Sequence, residues 1–187
     1  LQLLVPGETA DAGTATGKSG SPSAQTAGSS FTVTVNAVDA NWNRVSWTDT
    51  VAITSSDGAA TLPANAGLVA GTRNFSVTLK TAGTQTVTAS DITNPSITAN
   101  TSPSITVNAG AASKLAITAT PGSATVGSNF SVTVQSQDAY GNPTNVSANT
   151  GISLAISTHS GSGSAGTLSG NTGTISQGTS SIALSLS

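Results

Sequence analysis

One segment of this chain occurs twice. Phe31-Thr-Val-Thr-Val-Asn-Ala-Val-Asp-Ala-Asn-Trp-Asn43 returns as Phe130-Ser-Val-Thr-Val-Gln-Ser-Gln-Asp-Ala-Tyr-Gly-Asn142. Each copy alternates apolar and hydroxyl side chains and then runs into an Asp-Ala-x-x-Asn turn. Alternation gives an extended strand one face to bury, and the copies lie about 100 residues apart, so the chain must build two similar β units. Phe31, Val33, Val35 and Ala37 share the inward face; Thr32, Thr34 and Asn36 share the other.

The flanking sequence fits the same plan. Leu1-Gln-Leu-Leu-Val5 reads as a first strand stopped by Pro6-Gly7, and further strands are expected at Val51–Thr54, near Thr61-Leu62, and at Asn74–Lys80. Thr84–Ala89 and Ser104–Asn108 close the first set, and short strands between Gly, Asn, Asp and Pro turns suit a β-sandwich of about 100 residues. The second set repeats this with Leu115–Ala119, Ile152–Ile156, Thr167-Leu168 and Gly178–Ser187, where Ile182, Leu184 and Leu186 take the places of Phe75, Val77 and Leu79. Domains are expected at 1–110 and 111–187, joined by the short uncharged hinge Asn108–Ser113, which should leave little slack. Residues 8–23 are an insertion without a counterpart, either a long loop or an extra hairpin on the first domain.

Composition narrows the function. Ser and Thr make up about a third of the chain and charged residues only 6%, yet the period-two order argues for half-buried strands rather than disorder. The net charge is -2 and Lys18, Arg44, Arg73, Lys80 and Lys114 are scattered singly, unlike the clustered basic footprint of a nucleic-acid binder. The chain contains no cysteine, which removes disulfides and thiolate metal sites. No apolar run approaches the roughly 20 residues of a membrane span. Leu1 is expected to be a mature or fragment terminus, with any targeting segment outside the sequence shown.

Three segments carry a resemblance: Phe130–Pro143, Lys80-Thr-Ala-Gly-Thr-Gln-Thr-Val-Thr-Ala89, and Ile105-Thr-Val-Asn-Ala-Gly110. With them the chain resembles the bacterial immunoglobulin-like repeats of giant surface proteins and of invasin/intimin-type adhesins. The resemblance covers nearly everything outside the insertion. It implies an all-β fold of two tandem immunoglobulin-like sandwiches, export, and stalk or filament duty at a bacterial cell surface. The first copy departs from the pattern at Trp42, where such turns carry Gly, and at Gln85, where they often carry Tyr.

On that pattern the second domain stops early. Nothing in it corresponds to Thr81–Asn108, the stretch holding the last two strands, which in such a sandwich complete the sheet of the third. Ile152, Leu154 and Ile156 are then expected to face an open groove beside an unpaired strand edge. Several wet apolar side chains at about 1.5 to 3 kcal/mol each rival the whole stability of a small domain. The isolated second domain is not expected to fold. Either the sequence is a piece of a longer protein, or a neighbouring chain supplies strands, with residues 8–23 as the obvious donor.

Candidate sites are few. Asp39, Asn41 and Asn43, with Asp138 and Asn142 in the second copy, put oxygens at alternate turn positions, a pattern open to calcium or to an Asx-stabilised turn. Trp42 and Trp47 flank Arg44, with Tyr140 nearest in the second copy; these rings are candidates for stacking on glycans, or for packing over one end of the sandwich. His159 is alone in a Ser/Gly-rich loop, and no Gly-x-Ser-x-Gly elbow occurs, so no hydrolase is expected. A Lys-Asn cross-link at Lys80 would need a buried lysine beside an acid. Asn74, Asn100, Asn129 and Asn145 begin Asn-x-Ser/Thr triplets, and the hydroxyl-rich faces could carry O-linked sugars. The expectation is a non-enzymatic, extracellular structural or adhesive module without a cofactor. Its partners would be neighbouring repeats, copies of itself by strand exchange, or a cell-surface or glycan ligand; the alternative is a carbohydrate-binding module.

Overall fold

A computed structural model describes residues 1–125, 127–158 and 166–187. They form two compact units, Leu1–Ala109 and Gly110–Ser187, with no helix among the described residues. The chain is all-β, and each unit has its own buried apolar cluster.

In the first unit the strands are β1 (Gln2–Leu4), β2 (Glu8–Ala10), β3 (Lys18–Gly20), β4 (Gln25–Thr26), β5 (Ser30–Asn36) and β6 (Thr50–Ser55). Then come β7 (Ala66–Gly67), β8 (Thr72–Thr78), β9 (Gly83–Gln85), β10 (Val87–Asp91), β11 (Asn100–Thr101) and β12 (Ile105–Asn108). One sheet runs β1-β5-β8 and another β11-β10-β6-β7, while β4-β12-β9 form a third ladder in which β4 and β12 are parallel. Their inward side chains meet in one cluster: Leu3, Val33 and Val35 from the first sheet, Val51, Ile53, Val87 and Ala89 from the second, Ile105 and Val107 from the third. This is an immunoglobulin-like sandwich.

The repeated strand behaves as its alternation requires. Phe31, Val33, Val35 and Ala37 are all buried, and Thr32 is exposed. Asn36, expected on the solvent face, is buried instead because the insertion folds over it. Thr72 Oγ1 donates to Asn36 Oδ1 (2.7 Å), Asn36 Nδ2 to Gln2 Oε1 (2.9 Å), and Gln2 Nε2 to the Gly17 carbonyl (2.6 Å). The relay fixes the hairpin β2–β3, and the Lys18–Glu8 pair (2.8 Å) and a Lys18 Nζ bond to the Leu3 carbonyl (3.3 Å) reinforce it. The insertion is thus a hairpin tied to its own unit.

Two expected elements move. Thr61 makes only an isolated bridge to Thr78, and the short strand of that region is β7. Thr84–Ala89 is not one strand but two: β9 pairs with β12 and β10 with β6, so the chain changes sheets at Thr86.

The second unit holds β13 (Lys114–Ala119), β14 (Phe130–Gln137), β15 (Thr150–Ser153), β16 (Thr172–Ile175) and β17 (Ser181–Leu186). Its sheets are β13-β14-β17 and β15-β16. A register shift between Ile117 and Ala119 absorbs the one extra residue that separates Leu115 from Pro121, compared with Leu1 and Pro6. Thr167-Leu168 is not a strand; β16 fills that role, because Ile175 meets Thr150 much as Leu68 meets Asp49. Among the described residues nothing corresponds to β9, β10, β11 or β12.

Candidate functional site

Three places carry the residues singled out by the sequence: the two Asp turns, the tryptophan loop of the first unit, and the uncovered inner face of the second.

Both Asp turns are built alike. Asp39 Oδ1 accepts from the Asn41 and Asn43 amides (2.8 and 2.9 Å), and Asn43 Nδ2 reaches both carboxylate oxygens (3.3 and 3.1 Å). Asp138 Oδ1 accepts from the Tyr140 and Asn142 amides (2.9 Å each), while Oδ2 accepts from Asn142 Nδ2 (2.8 Å) and the Gly110 amide (2.9 Å). Thr144 Oγ1 holds the Gly110 carbonyl as well (2.9 Å), so this residue is gripped on both sides. Asp39 is exposed, whereas Asp138 is buried. The Asn43 side-chain bond holds the Asp39 carboxyl below the usual range, helped by the Asn43 and Asn41 amides. Burial alone would raise Asp138; the bonds from Asn142, Gly110 and Tyr140 outweigh it and lower the value.

The donors around each carboxylate favour the turn. Each carboxylate is surrounded by N–H groups, including the amide nitrogen of the Asn that was to be a co-ligand, and a cation needs lone pairs there. Among the described residues no group of three His, Cys, Asp or Glu side chains converges. The backbone bonds to Asp39 and Asp138 make both turns Asx turns.

Trp42 occupies the turn position that Gly141 fills in the second unit. It takes a left-handed φ of 65°, against 93° at Gly141. Such a conformation costs a non-glycine residue about 1 to 2 kcal/mol. The offsetting contact is with the hairpin: a Cβ built on Gly17 (φ 72°) would collide with the indole ring, so ring and backbone are in direct apposition. Trp42 also borders two clefts, one of about 410 Å³ with Asn36, Asn43 and Arg44, the other of about 250 Å³ with Asp39 and Asn100. Trp47 is exposed and lines neither; Tyr140 is exposed on the second unit. His159 lies outside the described residues.

Other polar anchors are not legible in the sequence. Asp57, buried, accepts from the Lys80 and Thr81 amides (2.6 and 2.9 Å), the Ala59 amide (3.0 Å) and Thr81 Oγ1 (2.7 Å). Burial would raise its carboxyl, but these four bonds prevail and lower it. Lys80 thus meets an acid through its backbone. Gln85, standing where tyrosine is usual, accepts from Ser56 Oγ (2.7 Å) and donates to the Thr81 carbonyl (3.4 Å).

The third place is set by absence of cover. In the first unit Leu3 pairs with Val35, points inward and is 0% exposed, because β10 and β11 lie against β1 and Asn100 Oδ1 accepts from the Leu3 amide (2.9 Å). Ile117 pairs with Val134 in the same register and points the same way, yet is 56% exposed; Leu115 is 49% and Ile156 45% exposed. Ile152, expected in the open, is only 5% exposed, packed with Val132, Ile175 and Leu184. The opening therefore lies along β13 and beyond the end of β15. Covering the exposed halves of three such side chains is worth about 1 kcal/mol each.

No protein-family model matches the chain, and no curated protein matches its sequence. Among solved structures it is similar to FdeC, an Escherichia coli adhesin, at 28% identity over 87% of this chain and 52% of that one, with a TM-score of 0.42. The D0-D1 domain of intimin aligns with 98% of this chain and 84% of its own at 15% identity and a TM-score of 0.38. Domains 4-9 of the surface layer protein SbsC align with 100% of this chain and 27% of theirs, at 18% identity and a TM-score of 0.38.

Proposed function

We propose that this chain is a structural or adhesive module that works outside a bacterial cell, either one stretch of a long surface protein or a subunit of a filament. The observation that carries the reading is repetition: one sandwich plan is used twice with the Asp turn preserved in each unit. Only Ala109 separates Asn108, whose carbonyl holds the Ala27 amide, from Gly110, held by Asp138. The chain is rich in Ser and Thr and only 6% charged, so its solvent-facing strand positions are mainly uncharged hydroxyl groups. The second sandwich, on this reading, is completed by strands from outside its own residues, and no turnover is expected.

A carbohydrate-binding role is the second reading, favoured by one feature: Trp42 borders clefts that also present Asn43, Arg44 and Asp39, an aromatic face beside planar hydrogen-bonding groups. A glycan array with the wild type, Trp42→Ala and Trp47→Ala separates the two. Binding that either substitution abolishes supports the carbohydrate reading. Fibres or surface labelling of intact cells, with no tryptophan-dependent binding, supports the structural one.

A further inference from the structure

We infer that the cleft between the β2–β3 hairpin and the tryptophan turn of the first unit binds an acidic sugar, its ring against Trp42 and its carboxylate on Arg44. The inference rests on the carbohydrate reading above and narrows the ligand from sugars at large to those that carry a carboxylate.

The two copies of the sandwich plan isolate what this cleft adds. Each closes its turn with the same backbone bridge, Val38 to Arg44 and Gln137 to Pro143, so the turn positions correspond one to one. The second unit carries Gly141 and Pro143 where the first carries Trp42 and Arg44, and the insertion that forms the hairpin has no counterpart in it. All three departures meet at one place, a cleft of about 410 Å³ bordered by Ala10, Ala12, Trp42, Asn43 and Arg44. Since glycine closes the other turn, the plan itself does not call for a tryptophan held at a φ of 65°. Such strain is kept where a surface has a function to serve.

The walls are held in place by bonds of the unit itself. The Gly13 amide donates to the Asn41 carbonyl (2.9 Å) and the Asp11 amide to the Gly17 carbonyl (2.7 Å), which fastens the hairpin to the turn. Gln2 and Asn36, which also border the cleft, are buried and committed to the relay that ends on Gly17. Trp42 is half-buried and offers an apolar surface on which the C–H face of a sugar packs. Asn43 spends its Nδ2 on Asp39 and keeps Oδ1 to accept from a hydroxyl. Arg44 is exposed, and among the described residues the ion pair is Lys18–Glu8, so the guanidinium has no carboxylate of its own. Its planar fork of donors matches a carboxylate bidentately. Asp39 borders the smaller cleft instead, and Arg44 is the charged residue bordering this one. The volume suits roughly one or two sugar rings, at the small end of ligand sites.

The test is titration calorimetry on the 187-residue chain with a glucuronate-terminated oligosaccharide and sialyllactose, each beside its neutral counterpart, a glucose-terminated oligosaccharide and lactose. A polyglutamate peptide serves as the acidic probe that is not a sugar. Arg44→Gln alters an exposed side chain, and Trp42→Gly installs the residue that the second unit already uses, so both variants are expected to melt as folded proteins. The expected result is that at least one acidic sugar binds about tenfold or more tighter than its neutral counterpart. Arg44→Gln should remove that margin, and Trp42→Gly should weaken acidic and neutral sugars alike. Equal binding of acidic and neutral sugars, lost in Trp42→Gly, overturns the inference and leaves the carbohydrate reading standing. An acid preference that survives Arg44→Gln overturns it in the same way. No Trp42-dependent binding of any of these sugars removes both. Tighter binding of the peptide, lost in Arg44→Gln, overturns the inference in favour of an acidic protein partner.

Discussion

Replacing Asp138 by alanine tests whether the buried turn carboxylate is a structural pin. The substitution deletes four accepted hydrogen bonds, from the amides of Tyr140, Asn142 and Gly110 and from Asn142 Nδ2. Bonds to a charged group contribute about 1.5 to 3 kcal/mol each, but all of them share one carboxylate and do not add in full. A net loss of about 3 to 4 kcal/mol for the second unit follows, a large share of the 5 to 15 kcal/mol typical of a domain. Hydrogen exchange is the suitable assay because it reads the units separately: Phe130–Gln137 reports on the second, Ser30–Asn36 on the first. At about 1.4 kcal/mol per factor of ten, exchange through unit opening should accelerate roughly 100- to 1,000-fold in β14 and stay unchanged in β5. Asp39→Ala, at an exposed copy of the same turn that lacks a Gly110-like donor, should accelerate β5 far less. The folded Asp138 carboxyl lies below its ordinary value of 3.8, so its contribution is complete above that pH and disappears as the pH falls through the lower folded value. Equal effects of the two substitutions, or less than tenfold acceleration in β14, would refute the argument.

Gly17→Ala should destabilise the first unit by about 1 to 3 kcal/mol, from its left-handed φ and the collision with Trp42, and pairing it with Trp42→Gly should recover part of the loss in a thermal-melt double-mutant cycle. Asp57→Ala should cost the first unit about 3 kcal/mol by urea denaturation followed through tryptophan fluorescence, since Trp42 and Trp47 both lie there. Its carboxyl is also lowered in the fold, so the wild type's advantage over this variant should be full above about pH 4 and shrink as the solution is acidified below it. Millimolar calcium, or its removal by EDTA, should leave both melting transitions in place, because N–H donors ring the turn carboxylates; a calcium-dependent shift of several degrees would overturn the Asx-turn assignment.

What the sequence makes legible follows from where burial is decided. β5 and β14 were legible because alternation within a strand fixes its inward face locally. β7 and β16 were not: Ala66-Gly67 and Thr172-Gly-Thr-Ile175 are short and glycine-bearing, and their pairing is imposed by β6 and β15. The split of Thr84–Ala89 was equally hidden, since a strand that changes partners keeps its alternation. Asp57, Asp138 and Asn36 look in sequence like solvent-facing turn or strand residues, and only what folds over them makes them buried anchors. Gln2 was the available clue, one polar side chain within Leu1-Gln-Leu-Leu-Val5 that needs a partner once its strand is covered.

The parallel pairing of β4 with β12 has a mechanical consequence. β4 lies toward the beginning of the first unit and β12 at its end, and the two point the same way. Tension that enters at Gln25 and leaves at Asn108 slides these strands along each other instead of peeling them apart. The Val107–Gln25 and Asn108–Thr26 pairings and the Ala27 amide bond to the Asn108 carbonyl are then loaded together, so rupture requires several bonds to fail at once. The same tension applied to a terminal antiparallel hairpin would open it one bond at a time.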